Sequence, residues 1–337
     1  GLMADDVRKA NGTFYTPVEL VPAVLHEAFA CHLAPILGRS EVAIAEQLQD
    51  PDPALSQALG ALSVLDPAVG SGAFLVARVR QIVTRRLFGV DREPAAVRHT
   101  ELRLWLELLR TMRGRETSAV APLPNLDTTI RAGNALLDPF AGIRIPASDA
   151  RRLDAARRSA ASSHGAARRT AVSALRRIEH HIACTALAER IDVLRERIGD
   201  LLDQARSHDL FGEQARLGSH PRHQVLLLRR ELATARRDYR RLQLGGDAAA
   251  FGIETAFAAV LARGGFDLVI GNPPWVRGER LPAAERAALR QRYRWWRGSG
   301  TGWQHAPDLA VAFVERSVDL LAADGTAALL LPAKLAT

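Results

Sequence analysis

The 337-residue chain has only two cysteines, Cys31 and Cys184. Two thiols exclude a disulfide framework and a cysteine-based zinc cluster, so no metal site is expected, and they suit a reducing cytoplasm. The start is not basic-then-apolar in the manner of a signal peptide. No run of about 18 apolar residues is apparent that could span a bilayer, so a membrane is not an expected partner. Lysine is almost missing: Lys9 and Lys334 are the only ones among 45 basic residues, a bias that genomic base composition is enough to explain.

What is present is an uneven charge. Residues 144–241 hold 21 arginines against 12 acidic residues, while the rest of the chain holds 24 basic against 25 acidic. The whole net charge of +8 therefore comes from one segment. A basic block of this kind points either to nucleic acid or to a solvated helix face. With 47% hydrophobic residues, the chain can bury one large core or two smaller ones.

The apolar strand Leu62-Ser63-Val64-Leu65 runs into Asp66-Pro67-Ala68-Val69-Gly70-Ser71-Gly72-Ala73-Phe74-Leu75, which opens a helix extending to about Arg86. A strand, a glycine loop and a helix in this order form a ligand cradle at the carboxyl end of a parallel sheet. Gly70 and Gly72 let backbone approach a ligand with no Cβ between. A dinucleotide site would want a third glycine at position 75, where Leu75 stands. Asp66 at the strand end suits a positively charged ligand better than a diphosphate. A second strand, Leu87–Val90, ends in Asp91, about 20 residues past the loop, where a carboxylate can accept from ribose hydroxyls. The simpler alternative for Asp91 is a helix cap before the helix expected over 94–112. Thr129-Ile130-Arg131 leads to Gly133-Asn134-Ala135-Leu136, where Asn134 could read an adenine edge or make a turn.

The strand Phe266–Ile270 and Gly271 precede Asn272-Pro273-Pro274-Trp275. Two prolines lock two φ angles and remove two donors, so the Pro273 carbonyl is rigidly aimed. The Asn272 side chain supplies a second acceptor and Trp275 a stacking plate. Two fixed acceptors beside a ring plane suit a planar amino group: gripping both hydrogens favours a pyramidal nitrogen with its lone pair free for an electrophile. The plain alternative is a proline-rich turn after a core strand.

Further along the chain, Thr16-Pro17 reads as an N-cap with proline at the first helical position, ahead of a helical pattern over 18–34. Residues 38–60 read as a helix and a loop. Ile191, Leu194, Ile198 and Leu201 make one heptad seam, and Leu228, Leu232, Ala235, Tyr239 and Leu242 another. With a turn over 207–221, these predict an antiparallel helical hairpin within 143–250 that contacts either DNA phosphates or a partner subunit. Arg290–Trp303 interleaves aromatics with arginine and carries glycines near its end, which fits a loop ordering over a base; the alternative for Trp295 or Trp296 is plain core packing. Asp308 caps a helix expected over 309–322, ending before Gly325 and the strand 326–331.

Together these residues resemble the γ-arranged amino-methylating DNA methyltransferases, and within them the large adenine-specific enzymes of restriction-modification and phage-defence systems. The resemblance covers 11–140 and 251–337 and rests on GTFYTP, VLDPAVGSGAFL, GVD, GNALL and FDLVIGNPPW in that order. It implies an α/β fold, a Rossmann-like class I S-adenosylmethionine-dependent sheet. The expected division is an N-terminal helical segment (1–60), a cofactor-binding half (61–142), the arginine-rich insertion (143–250) and a catalytic half (251–337). The implied cofactor set is Phe14, Tyr15 and Thr16; Asp66, Pro67, Ala68, Gly70, Gly72 and Phe74; Asp91 and Arg92; Asn134, Ala135 and Leu136; and Asn272. Asn272, Pro273, Pro274 and Trp275 are the implied catalytic set, acting on a base rotated out of double-stranded DNA. The family usually has Tyr or Phe where this chain has Trp275. No Pro-Cys dipeptide exists, so the thiolate route of carbon-5 cytosine methylation has no candidate nucleophile. The resemblance also implies a further C-terminal target-recognition domain or a partner subunit of a defence system. Rival readings are methylation of ribosomal RNA or of protein glutamine, and a cofactor-binding subunit without catalysis of its own.

Overall fold

The computed structural model describes residues 16–17, 19–78, 86–111, 125–206, 219–245, 251–297 and 307–335. Its centre is a sheet of five strands: β1 (Val64–Asp66), β2 (Leu87–Asp91), β3 (Ile130–Ala132), β4 (Phe266–Gly271) and β5 (Leu321–Leu329). They lie in the order β3-β2-β1-β4-β5, and every pairing is parallel. This is the Rossmann-like α/β sheet that the motifs imply. The order reverses between β1 and β4. Loops leaving two such strands part toward opposite faces and open a crevice at their carboxyl ends.

The strands read as apolar runs because both faces are covered. Val64, Leu268 and Ile270 face one core, shared with α1 (Leu20–Leu37), α2 (Glu41–Gln47), α3 (Pro53–Ala61), α4 (Ala73–Arg78) and α5 (Pro94–Thr111). Leu65, Phe88, Val90 and Val269 face the other, whose helices include α9 (Ile253–Ala256), α10 (Ala258–Leu261), α11 (Ala283–Arg292) and α12 (Leu309–Leu320).

Several boundaries differ from the sequence reading. Helix α1 begins at Leu20 with Glu19 as its N-cap residue, so Pro17 is not its first position. The Pro17 carbonyl instead accepts from the Leu20 N–H at 3.1 Å, forming a turn before the helix. Contrary to the expectation of no such run, α1 is long and apolar enough to cross a membrane; in this fold Leu25, Phe29 and Leu33 are wholly buried in the core. Residues 38–60 hold two short helices, α2 and α3, because Ser40 and Asp52 each cap one. Helix α4 is described to Arg78, and its expected extension to Arg86 lies outside the described residues apart from its last position. The Asp308 cap forms, with the carboxylate accepting from Ala310 N–H at 3.2 Å. Helix α12 stops at Leu320, however, and β5 takes up directly at Leu321 instead of at 326.

Among the described residues, the insertion contains three helices: α6 (Ala147–Ser162), α7 (Gly165–Arg206) and α8 (Ser219–Gly245). Helix α7 has 42 residues, about 63 Å at about 1.5 Å per residue. Leu242 packs with Leu187 and Ala183, while Leu228 and Leu232 pack with Ile191 and Leu194. The pairing runs in opposite directions along α7 and α8, as an antiparallel hairpin requires. Pro221, read as part of the turn, lies in the first turn of α8, where its missing N–H leaves no bond unmade; residues 207–218 lie outside the described residues. The unforeseen helix α6 packs on α7 and α10 through Leu153, Ala160, Leu175 and Ala258.

Candidate active site

β1 delivers Asp66 to the crevice. The side chain is 1% exposed, and its Oδ1 accepts from Ala68 N–H at 3.1 Å. No cation pairs with it among the described residues, so burial pushes its carboxyl up to about 8, with the nearby Asp91 charge adding to the shift. The loop then turns through Gly70 at φ 52° and Gly72 at φ 75°, the left-handed region that favours glycine. A Cβ on Gly72 would stand 2.7 Å from Thr100 Cγ2. Helix α5 braces this turn: Thr100 Oγ1 donates to the Gly70 carbonyl at 2.9 Å and Arg103 to the Ser71 carbonyl at 2.6 Å.

β2 delivers Asp91. Its Oδ2 accepts from Gly70 N–H at 2.8 Å and its Oδ1 from Glu93 N–H at 2.9 Å. It therefore ties the glycine loop to β2 and also makes the helix-leading turn weighed from the sequence. Each oxygen keeps a second lone pair for another donor. Burial raises its carboxyl above the usual range, against those two backbone bonds. Pro67 and Ala68 lie within the loop itself, whereas Phe74 turns its ring into the core at 2% exposure. Arg92 points outward and pairs with Glu285 of α11 at 3.2 Å.

Asn134 makes a turn: its Oδ1 accepts from Leu136 N–H and Leu137 N–H, each at 3.0 Å. The side-chain carbonyl is thus engaged in the turn, one of the two readings weighed from the sequence. Ala135 and Leu136 put their side chains in the core and their carbonyls on Arg316 (3.1 Å), Arg292 (2.8 Å) and Tyr293 (2.7 Å). Phe14 and Tyr15 lie outside the described residues.

β4 delivers the proline pair beside Asp66. A Cβ on Gly271 would stand 2.8 Å from Asp66 Oδ1, so the residue before Asn272 has to be small. Asn272 Nδ2 donates to Thr16 Oγ1 at 3.2 Å, drawing the N-terminal segment onto the motif. Among the described residues, Asn272 Oδ1 is buried without a hydrogen-bond partner. Among the described residues, no hydrogen bond engages the Pro273 carbonyl either. Trp275 is half-buried, and its indole N–H donates to the Leu330 carbonyl at 3.2 Å, just past β5. The motif leaves through Val276, whose carbonyl accepts from Leu309 N–H at 2.8 Å, and Asp308 there holds Lys334 at 2.9 Å. Of the aromatic–arginine segment, Trp296 is fully buried and Trp295 is 49% exposed; Gly298–Trp303 lie outside the described residues.

Behind the Asn134 turn lies a network that the sequence reading missed. Arg316 of α12 pairs with Glu254 at 2.9 Å and Asp138 at 3.5 Å, and all three are nearly inaccessible. Asp138 also accepts from the backbone N–H groups of Phe140 and Ile253. Burial and the neighbouring Glu254 hold the Asp138 carboxyl well above the usual range. Burial pushes Glu254 up too, but Arg316 and the Asp138 hydrogen bond outweigh it and hold Glu254 at about 2. The signal was there: Arg316 occupies the apolar stripe Leu309, Ala312, Phe313, Leu320. Beside this network, whose Arg316 and Glu254 help line it, a cavity of about 900 Å³ separates α8 from α11 and α12; its walls hold seven arginines, Arg237 and Arg241 among them, and four carboxylates.

A glycine turn braced against a parallel sheet, meeting an Asn-Pro-Pro loop at the strand-order reversal, defines a Rossmann-like methyltransferase domain. Residues 85–337 match the Eco57I restriction-modification methylase family, and the chain belongs to that family. It is 22% identical over 337 aligned residues to RM.MjaORFECS2P of Methanocaldococcus jannaschii, a candidate type II restriction enzyme and methyltransferase, covering 83% of this chain. It is 44% identical over 62 residues to the type II methyltransferase M.PaeR7I of Pseudomonas aeruginosa, covering 18% of this chain. The chain spans 26% of the length of the first relative and 10% of the second.

Proposed function

We propose that this domain methylates the N6 amino group of adenine in DNA, by direct transfer from S-adenosylmethionine to a base flipped out of the duplex, within a restriction-modification or phage-defence system. The observation that carries the reading is the buried, unpartnered Oδ1 of Asn272. A buried acceptor left open costs about 1–3 kcal/mol, so its retention needs a reason. An incoming amino group supplies the missing donor.

The residues fit the cofactor. Gly70 and Gly72 leave room for close backbone approach, Asp66 offers a buried carboxyl to a cationic group, and Asp91 keeps lone pairs for hydroxyls. When bound, the cofactor supplies an electrophilic sulfonium methyl. The chain's own part is to orient and exclude. Asn272 Oδ1 and the Pro273 carbonyl take the two amino hydrogens and turn the nitrogen lone pair outward. Thr16 ties the Asn272 amide to the N-terminal segment. Trp275, tethered by its indole N–H, offers a ring face to the base. After transfer the nitrogen carries one surplus proton, and the acceptor pair holds it until solvent removes it.

The test is transfer of tritium from labelled cofactor to duplex DNA, followed by digestion and separation of modified nucleosides. N6-methyladenine as the labelled product supports the reading. Label in N4-methylcytosine, ribosomal RNA or protein glutamine overturns its substrate assignment, and cofactor binding without any transfer makes the domain a non-catalytic subunit. The arginine-lined cavity favours DNA phosphates over a partner subunit as the contact of the insertion. Replacing Arg237 and Arg241 together by Gln should then reduce the salt slope of DNA binding by about 2.

A further inference from the structure

The end of the sheet opposite the crevice holds a second cavity, of about 350 Å³. Ser63 before β1, Phe88 in β2, Thr128 and Thr129 before β3, and Arg263 before β4 contribute to its walls. Helix α6 adds Arg157, whose side chain is the anomaly. Arg157 is 7% exposed, and its Nε and Nη2 are buried with no hydrogen-bond partner among the described residues. No ion pair reaches it among the described residues. The two carboxylates whose charge acts on it are both taken: Glu179 by Arg131, through two bonds of 2.9 and 2.8 Å, and Asp154 by Arg158. Burial pulls the guanidinium down to about 10 despite those charges. Its remaining contact is the Phe257 ring, 5.8 Å from its Cζ, and that ring meets Phe88 edge-on at 4.9 Å.

Nε and Nη2 share one edge of the guanidinium, the parallel pair of donors that grips an oxyanion through two bonds. The cavity is lined by four arginines and one carboxylate, and that carboxylate is Asp154, already paired. Phe88, Leu126 and Val260 give it an apolar wall. We propose that this cavity is a binding site for a small phosphate-bearing ligand, anchored by Arg157, with the apolar wall taking the body of the ligand. It is separate from the crevice: β2 puts Phe88 at this end and Asp91 at the other, so the two sites are not in competition.

Calorimetric titration of the whole chain with phenyl phosphate and with inorganic phosphate, at constant ionic strength, with and without S-adenosylmethionine, tests this. Saturable one-to-one binding is expected whether or not the cofactor is present. Tighter binding of phenyl phosphate assigns an organic phosphate, and equal binding assigns the free ion. Arg157→Met should weaken binding at least tenfold, and Arg263→Ala a few-fold. Because an unpaired buried charge is removed, ligand-free Arg157→Met should melt no lower than the parent, while losing the rise in melting temperature that phosphate gives the parent. Absence of saturable binding by the parent, undiminished binding by Arg157→Met, or a ligand-free variant that melts far below the parent each overturns the proposal.

Discussion

Two places on this sheet bury carboxyl groups, and they treat them in opposite ways. At the neck of the insertion, Asp138 and Glu254 share Arg316 and several backbone donors, so each polar demand is met inside the protein. At the crevice, among the described residues, Asp66 has one backbone bond and no cation, and Asn272 Oδ1 on the adjoining loop has no partner. A satisfied buried network positions chain; an unsatisfied one is waiting for a solute. The first can be judged by stability and the second by binding and rate.

The largest expected effect is on rate. Asn272→Ala should lower methyl transfer by about 10²–10³-fold, the usual loss when one oriented polar contact to a reacting group is removed, with cofactor affinity nearly unchanged in an equilibrium titration. Equal loss of both would move Asn272 from the acceptor pair into cofactor binding and blur the contrast. Next comes Arg316→Met, which strands Glu254 beside Asp138 and should destabilise by about 3–5 kcal/mol, read from the denaturant midpoint. Cofactor affinity per folded molecule should hold, so a stable variant would show that the neck is not a charge-satisfied structural element.

The third prediction concerns pH. Asp66 is raised to about 8 in the fold, against about 3.9 in the unfolded chain. Between these values the native state holds a proton that the unfolded chain has released. Stability from this group is therefore complete below about pH 4 and falls as pH rises to about 8. The full shift would allow about 6 kcal/mol at about 1.36 per unit, and relaxation around a loop carboxyl should leave on the order of 2. Asp66→Asn should remove that fall, as measured by denaturant midpoints at pH 5 and 8.5. The smallest effect is that of Gly72→Ala, whose positive φ and contact with Thr100 should cost about 1–3 kcal/mol, accompanied by weaker cofactor binding. If Gly72→Ala leaves binding intact, the glycine turn serves packing alone.

The crevice was legible in the sequence because its chemistry is written in proline and glycine. These residues fix or free the backbone wherever they stand, so Asn272–Trp275 and Gly70–Gly72 could be read without knowing their surroundings. Asn134 was harder, since one side chain can serve a ligand or its own turn, and only the geometry shows Oδ1 on Leu136 and Leu137. Phe74 shows that a residue inside a motif can still face the core. Helix α6 and the Arg316 network were missed because arginine is so common here that its buried copies look like surface. Helix α6 has the stripe Ala150, Leu153, Arg157, Ala160, and α12 breaks its own stripe with Arg316. In both, the charged position that hides the periodicity is the informative one.

The chain departs from the sheet domain at Asp138 and comes back at Glu254, and one guanidinium clasps both points. The junction is therefore a socket of fixed bore. What is plugged into it can change in length while β3 and β4 keep their places.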